Sequence, residues 1–303
     1  MDMKISFKNS IVIAQKEFAD NIFSPVFLVL LITFTLIIFS FSYEKGLEAG
    51  SFTNGSTLLM AGFSGVALII GYFSPLIGIA LGFDAIVKEQ KSGSLNVLLT
   101  HPVFRDNIII GKFLGAMITL AFVLGISTVV SISSLLLILG GTISEIEMSR
   151  LFLFITITFF YSLIFLGISV LLSIVVKEAT DSLVYNVVIW LGLCAVFGTI
   201  VAGLAIIFTG QPIRTGSASF ELALNLANIS PLYHYAETIT GQGYVGWGGI
   251  GPEPSAIKGI LDTRFTLSQW FSEFWMNLTV IIVTPVILLI TAFIAFLRKD
   301  IST

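Results

Sequence analysis

The chain has 303 residues, of which 56% are hydrophobic and 11% charged, and its mean hydropathy is +1.01. A soluble domain carries about 25% charged residues, so these proportions exclude a water-soluble globular protein and imply an all-α polytopic membrane protein. The net charge of −3 is close to neutral and gives no reason to expect nucleic acid as a partner.

In chain order, the first feature is an amphipathic stretch from Ile5 to Phe23. Its Ile5, Val12, Ile13, Phe18 and Ile22 interleave with Lys8, Gln15, Lys16, Glu17 and Asp20. The expectation for residues 1–24 is a helix lying in the inner membrane interface, basic groups toward lipid headgroups, turning at Ser24–Pro25 into the bilayer. A simple solvated arm is the alternative. The first apolar run leads into charged residues and not a small-residue cleavage site, so no signal peptide is expected.

A hydrocarbon core about 30 Å thick needs about 20 apolar residues in a helix. Six runs qualify, near 25–42, 58–87, 107–139, 151–176, 185–209 and 272–297. The first is at the short end. The third would reach roughly 48 Å at 1.5 Å per residue, so it projects beyond the membrane or breaks near Gly125. Pro75 and Pro285 each remove a backbone donor from a span and predict kinks. Gly78/Gly82 and Gly111/Gly115 are spaced four apart, which lets helices approach closely. Cys194, the lone cysteine, lies in an apolar run and reads as a small buried hydrophobe.

Between the second and third runs lies the charged insert Gly82 to Lys112. The second span is expected to run on as a helix into Asp84, Lys88, Glu89 and Lys91, with Gly93 offering a break. Ser94 can cap a short helix whose Leu95, Leu98 and Leu99 share one face. Pro102 ends that helix, and Asp106 can cap the third span. On periodicity alone this is equally an ordinary loop helix at the interface or a docking face for another protein.

Residues 210–271 are far more than a turn between two spans requires. Phe220 to Ala227 is apolar enough to rest on the membrane or on other spans, with Tyr233 and Tyr235 following. The glycine-rich tract from Gly241, containing Tyr244 and Trp247, predicts an irregular loop, either a plain lid, a gate or a dock for an extracytoplasmic client protein. Trp270 and Trp275, at the start of the last span, read as interfacial aromatics.

Six spans put both termini on one side. Lys4, Lys8, Lys16, Lys88, Lys91, Arg105, Lys112, Lys177, Arg298 and Lys299 fall on that side, and half as many basic residues fall on the other. The positive-inside rule therefore places both termini and the 88–106 loop in the cytoplasm and the chain in the cell membrane.

Catalytic constellations are poorly supported. Gly62-Phe63-Ser64-Gly65 resembles the G-x-S-G of an intramembrane hydrolase, but serine chemistry needs a base, and the two histidines, His101 and His234, lie outside the apolar runs. Two histidines and one cysteine dispersed along the chain make no metal site of ordinary spacing. No nucleotide-binding phosphate loop is present. A secondary carrier would need charged midplane residues in repeated halves, which the chain lacks.

The insert carries a resemblance. Phe83-Asp84-Ala85-Ile86-Val87-Lys88-Glu89, then Ser92-Gly93-Ser94-Leu95, Leu98-Leu99-Thr100, Pro102, Arg105 and Gly111-Lys112 resemble the signature loop of the ABC-2 type transporter permeases. More loosely, so do the Lys-Glu before the first span, the six-span plan, the long last outward loop and the basic C-terminus. The resemblance implies a non-catalytic permease subunit, with no cofactor of its own, that pairs with a second copy. Each copy would rest on a cytoplasmic ATP-binding subunit, where ATP is bound, and couple hydrolysis to export or translocation. It implies that Glu89, Gly93, Leu95, Leu98, Leu99, Pro102 and Arg105 meet that subunit, while Asp84 and Lys112 position the helices. The rival within transport is a mechanical coupler that moves an outer partner without passing a substrate.

Overall fold

The computed structural model describes residues 7–49, 58–91, 105–140, 142–214, 216–241 and 259–298. Among these residues the chain is helical, with no strand. The helices are α1 (Phe7–Ile22), α2 (Pro25–Ala49), α3 (Leu58–Gly82), α4 (Val87–Lys91), α5 (Arg105–Leu139) and α6 (Glu145–Val175). Then come α7 (Ala179–Trp190), one turn of π-helix (Leu191–Val196), α8 (Phe197–Thr209), α9 (Ala218–Ala227), α10 (Pro231–Thr240) and α11 (Leu267–Arg298). Six stretches are long and apolar enough to cross a membrane: Phe27–Leu47, Gly65–Glu89, Asp106–Leu139, Glu145–Val175, Ala179–Thr209 and Leu267–Arg298.

Local chemistry moves several boundaries away from the apolar runs. The fourth span starts at Glu145 because Ser144 builds a capping box with Glu147. The Ser144 hydroxyl accepts from the Glu147 amide, and the Glu147 carboxylate accepts from the Ser144 amide at 2.8 Å. The third span passes Gly125 unbroken for 35 residues, about 52 Å at 1.5 Å per residue. It starts at Arg105, so Asp106 lies in the first turn and is not its cap. The fifth span widens into the π-turn at its middle.

The second span does not continue as a helix through Asp84. It stops at Gly82, turns over 83–86 and restarts as α4. Serines of α6 meet the backbone freed by the break. The Ser173 hydroxyl accepts from the amides of Ile86 (3.0 Å) and Val87 (3.2 Å), and Ser169 donates to the Ile79 carbonyl at 3.1 Å. Gly78 and Gly82 allow this approach. A Cβ at Gly78 would lie 2.6 Å from the Ser162 carbonyl oxygen, and one at Gly82 2.8 Å from Ser169 Cβ.

α10 dips into the bundle. Its Leu232, His234, Tyr235, Ala236, Thr238 and Ile239 are buried among α3, α6 and α11. Tyr235 reaches about halfway along α6. There its ring stacks on Tyr161 at 4.5 Å, and its hydroxyl lies 2.9 Å from that of Thr158. Only glycine fits at position 71, where a Cβ would fall 2.4 Å from Tyr235 Cε1. Trp270 is buried rather than interfacial. It is 4% exposed, and its indole N–H donates to the Thr238 carbonyl at 2.9 Å. Trp275 is exposed. α9 packs on α8 in a small separate core of Val201, Ala205, Ala223 and Ala227.

Candidate functional site

The charged end of the bundle is organised by Lys112. This side chain is 8% exposed, and its ammonium lies 2.7 Å from Glu17 Oε1 and 3.0 Å from Glu89 Oε1. A lysine in an apolar helix is tolerated only with a counter-charge, and here two carboxylates supply it. One comes from α1 and one from α4, so a single cation joins three helices. Asp84 is half-buried in the turn before α4, with Lys88 and Lys112 as its charge neighbours.

α1 is seated by the second glycine pair. A Cβ at Gly111 would lie 2.6 Å from Ile13 Cβ, and one at Gly115 2.6 Å from Glu17 Cβ. The remaining contacts advance together along both helices. Ser10 donates to Asn107 at 3.3 Å, Asn21 donates to Thr119 at 3.4 Å, and Phe18 meets Phe122 edge-on at 6.1 Å. α1 therefore runs in the same direction as α5 and flanks its first half. The opposite face of α1 exposes Lys8, Ile11, Val12, Lys16 and Asp20, with Phe23 just beyond its end.

Of the residues expected to act, Asp84, Glu89 and Lys112 are gathered at this end. Gly93, Leu95, Leu98, Leu99 and Pro102 lie outside the described residues. Arg105 begins α5, and its side chain lies outside what is described. Glu17 is the member that sequence reading missed. Its signal was the unmatched lysine in an apolar run, which demanded an acidic partner from an element packed beside it.

The opposite end is held by Arg150, which is 1% exposed. Its guanidinium donates to the carbonyls of Ile260 (2.6 Å) and Phe265. Asp262, a charge neighbour of Arg150, pairs with Arg264 at 2.6 Å. The Ile260 amide donates to the Thr238 carbonyl at 3.0 Å, fixing the segment that leads into α11 against α10. Burial pushes the Tyr235 phenol well above its ordinary pKa, so it stays a neutral hydrogen-bonding group.

Residues considered for chemistry are engaged structurally. Both His234 nitrogens are in use, with Nδ1 2.7 Å from Asn277 Oδ1 and Nε2 2.8 Å from the Asn228 carbonyl. Cys194 is fully buried, 3.6 Å from the Tyr161 hydroxyl. The side chain of Ser64 and all of His101 lie outside what is described. Among the described residues, no three His, Cys, Asp or Glu side chains group to hold a metal.

Residues 11–301 match the family described as ABC-2 family transporter protein. The probable ABC transporter permease protein NosY of Stutzerimonas stutzeri is 25% identical over 252 residues, covering 81% of this chain and 89% of that protein. The protein of the same name from Pseudomonas aeruginosa is 30% identical over 135 residues, covering 45% of this chain and 47% of that protein. The chain thus spans about half the length of the P. aeruginosa relative. Six apolar spans, a charged insert rooted on a buried ion lock and a family match over nearly the full length converge on one assignment. This chain belongs to the ABC-2 family of transporter permeases.

Proposed function

We propose that this permease transmits ATP-driven motion from a separate cytoplasmic ATP-binding subunit into the membrane, with two permease copies forming the translocating unit. The observation that carries the reading is the Glu17–Lys112–Glu89 lock on the helices that flank residues 92–104, the stretch expected to be the coupling loop. A push on that loop reaches α4 first. The ion lock then passes it to α5 and α1, and the turn at 83–86 passes it to α3. In both helices the displacement arrives at the end nearest the loop, which is where a tilt of the second and third spans would begin.

The excess of basic residues at the α4 end supports placing that end in the cytoplasm. α5 exceeds the roughly 30 Å hydrocarbon core, and α1 flanks its first half. The exposed lysines and aliphatics of α1 support a position at headgroup level, beside the projecting part of α5.

The mechanical reading, in which an outer client protein is moved without a cargo passing through, is favoured by one observation. α10 and residues 259–266 are bound into the bundle by Arg150, Trp270 and Tyr235, so these described parts of the outer segment are mechanically continuous with the spans.

The test is the leucine face of the loop. If Leu95 and Leu98 dock in a groove of the ATP-binding subunit, each contributes about 1.5–3 kcal/mol. Leu95→Asp/Leu98→Asp should release that subunit on copurification while Cys194 remains unreactive, the mark of a folded permease. Copurification at wild-type yield would remove the coupling role.

A further inference from the structure

The fifth span differs from the others in how it is held. Its inner part, α7, buries only Ser182 and Asn186. In its outer part, α8, Val201 and Ala205 are buried against Ala223 and Ala227 of α9, apart from the main core. Between them the span is pinned within five residues. The Trp190 indole N–H donates to the Tyr72 carbonyl at 3.0 Å, the Leu193 carbonyl accepts from the Ser230 hydroxyl at 3.2 Å, and Cys194 Sγ lies 3.6 Å from the Tyr161 hydroxyl. These partners are Tyr72 on α3, Ser230 at the N-cap of α10 and Tyr161 on α6, and the three helices are packed together.

The pinned stretch runs from the last residue of α7 into the π-turn. A π-turn widens the helix and interrupts the regular i→i−4 ladder, and such turns recur at functional sites. Val196 closes it with φ −107 and ψ −8, away from helical values and near the sparsely populated bridge region. The side-chain hydrogen bonds that tie this span to the main bundle thus fall where its regular helical ladder is interrupted.

We infer that the fifth span is a lever pivoting on this π-turn, with α7 as its inner arm and the α8–α9 hairpin as its outer arm. The inference rests on the permease reading, because the drive comes from the ATP-binding subunit. Movement of α7 relative to α3, α6 and α10 at the inner end swings α8–α9 the opposite way at the far end, with those three elements carrying the fulcrum. α7 and α8 have 12 and 13 residues. At 1.5 Å per residue a pivot of about 10° moves each arm's end by roughly 3 Å.

The test uses nitroxide pairs on exposed positions, with labelled chains diluted among unlabelled copies so that pairs between copies are rare. Cys194, fully buried, takes no label. Val29→Cys/Val184→Cys crosses the bundle at the inner level, Leu47→Cys/Phe208→Cys crosses it at the outer level, and Val29→Cys/Leu47→Cys is the reference within α2. Distances are compared between nucleotide-free and vanadate-trapped complexes with the ATP-binding subunit. The lever predicts changes of opposite sign in the two crossing pairs and none in the reference. Changes of the same sign, or none in a complex whose ATPase is stimulated, would overturn it. A subunit that neither binds nor responds refutes the permease reading instead.

A second arm needs no ATP. Trp190→Phe and Ser230→Ala each remove one pin, and both should broaden the two crossing distances in the permease alone. Unchanged widths would show that these contacts are not a fulcrum.

Discussion

Lys112→Met takes the cation from between two carboxylates at 2.7 and 3.0 Å and leaves Glu17 and Glu89, 18% and 16% exposed, facing each other. Breaking a buried ion pair from one side costs about 3–5 kcal/mol, because the orphaned charge remains. For a chain of this size that is a fall in Tm on the order of 10 °C. Glu17→Gln or Glu89→Gln alone leaves the ammonium one carboxylate and should cost about 1.5–3 kcal/mol, a charge-assisted hydrogen bond. The triple variant Lys112→Met/Glu17→Gln/Glu89→Gln has no orphaned charge and similar volume, so most of the stability should return. The assay is built into the protein, since Cys194 is a single buried thiol. Melting in detergent with a thiol-reactive dye reports its exposure. The reasoning fails if Lys112→Met melts with the wild type, or if the triple variant melts with Lys112→Met.

Two further outcomes follow from named residues. Single cysteines at Ser51, Ser92 and Ser255 in a Cys194→Ser background should label with an impermeant reagent in intact cells at all but Ser92; labelling of Ser92 from outside would reverse the orientation. Arg150→Met loses two charge-assisted bonds worth about 1.5–3 kcal/mol each and should speed proteolysis between 242 and 266. Arg150→Lys should not rescue it, because an ammonium lacks the fork that reaches two carbonyls; wild-type protection in Arg150→Lys would show that the fork is not what holds residues 260–265.

The six spans were readable from the sequence because hydrophobic length alone decides membrane crossing. The charged end was partly readable, since Asp84, Glu89 and Lys112 stand out against apolar neighbours. Glu17 did not, because an acidic residue on an amphipathic helix looks solvated until its partner helix is known. The break at Gly82 was hidden for a similar reason. It depends on Ser173, nearly ninety positions away, accepting from the amides freed at Ile86 and Val87. Trp270 looked interfacial because position predicts the membrane surface for a tryptophan, and only the Thr238 carbonyl explains its burial. α10 was invisible to hydropathy, since its His234, Tyr235 and Thr238 are polar, and the partners that let it be buried include Asn277 and Thr158 from distant parts of the chain.

α10 also imposes an order on how the protein is made. Its ten residues rise about 15 Å, half of what crossing the hydrocarbon requires, and unpaired polar groups cannot face lipid. It therefore cannot enter the bilayer as a segment in its own right during synthesis. The groups that receive it include Trp270 and Asn277 on α11, which leave the ribosome after it does. α10 must wait at the membrane surface until the last span has been inserted and then fold back into a cleft that did not exist when it was made. The central packing of this protein, with Tyr235 against Gly71 and Tyr161, is thus the last to form. A defect in the sixth span would surface first as a helix stranded on the membrane surface.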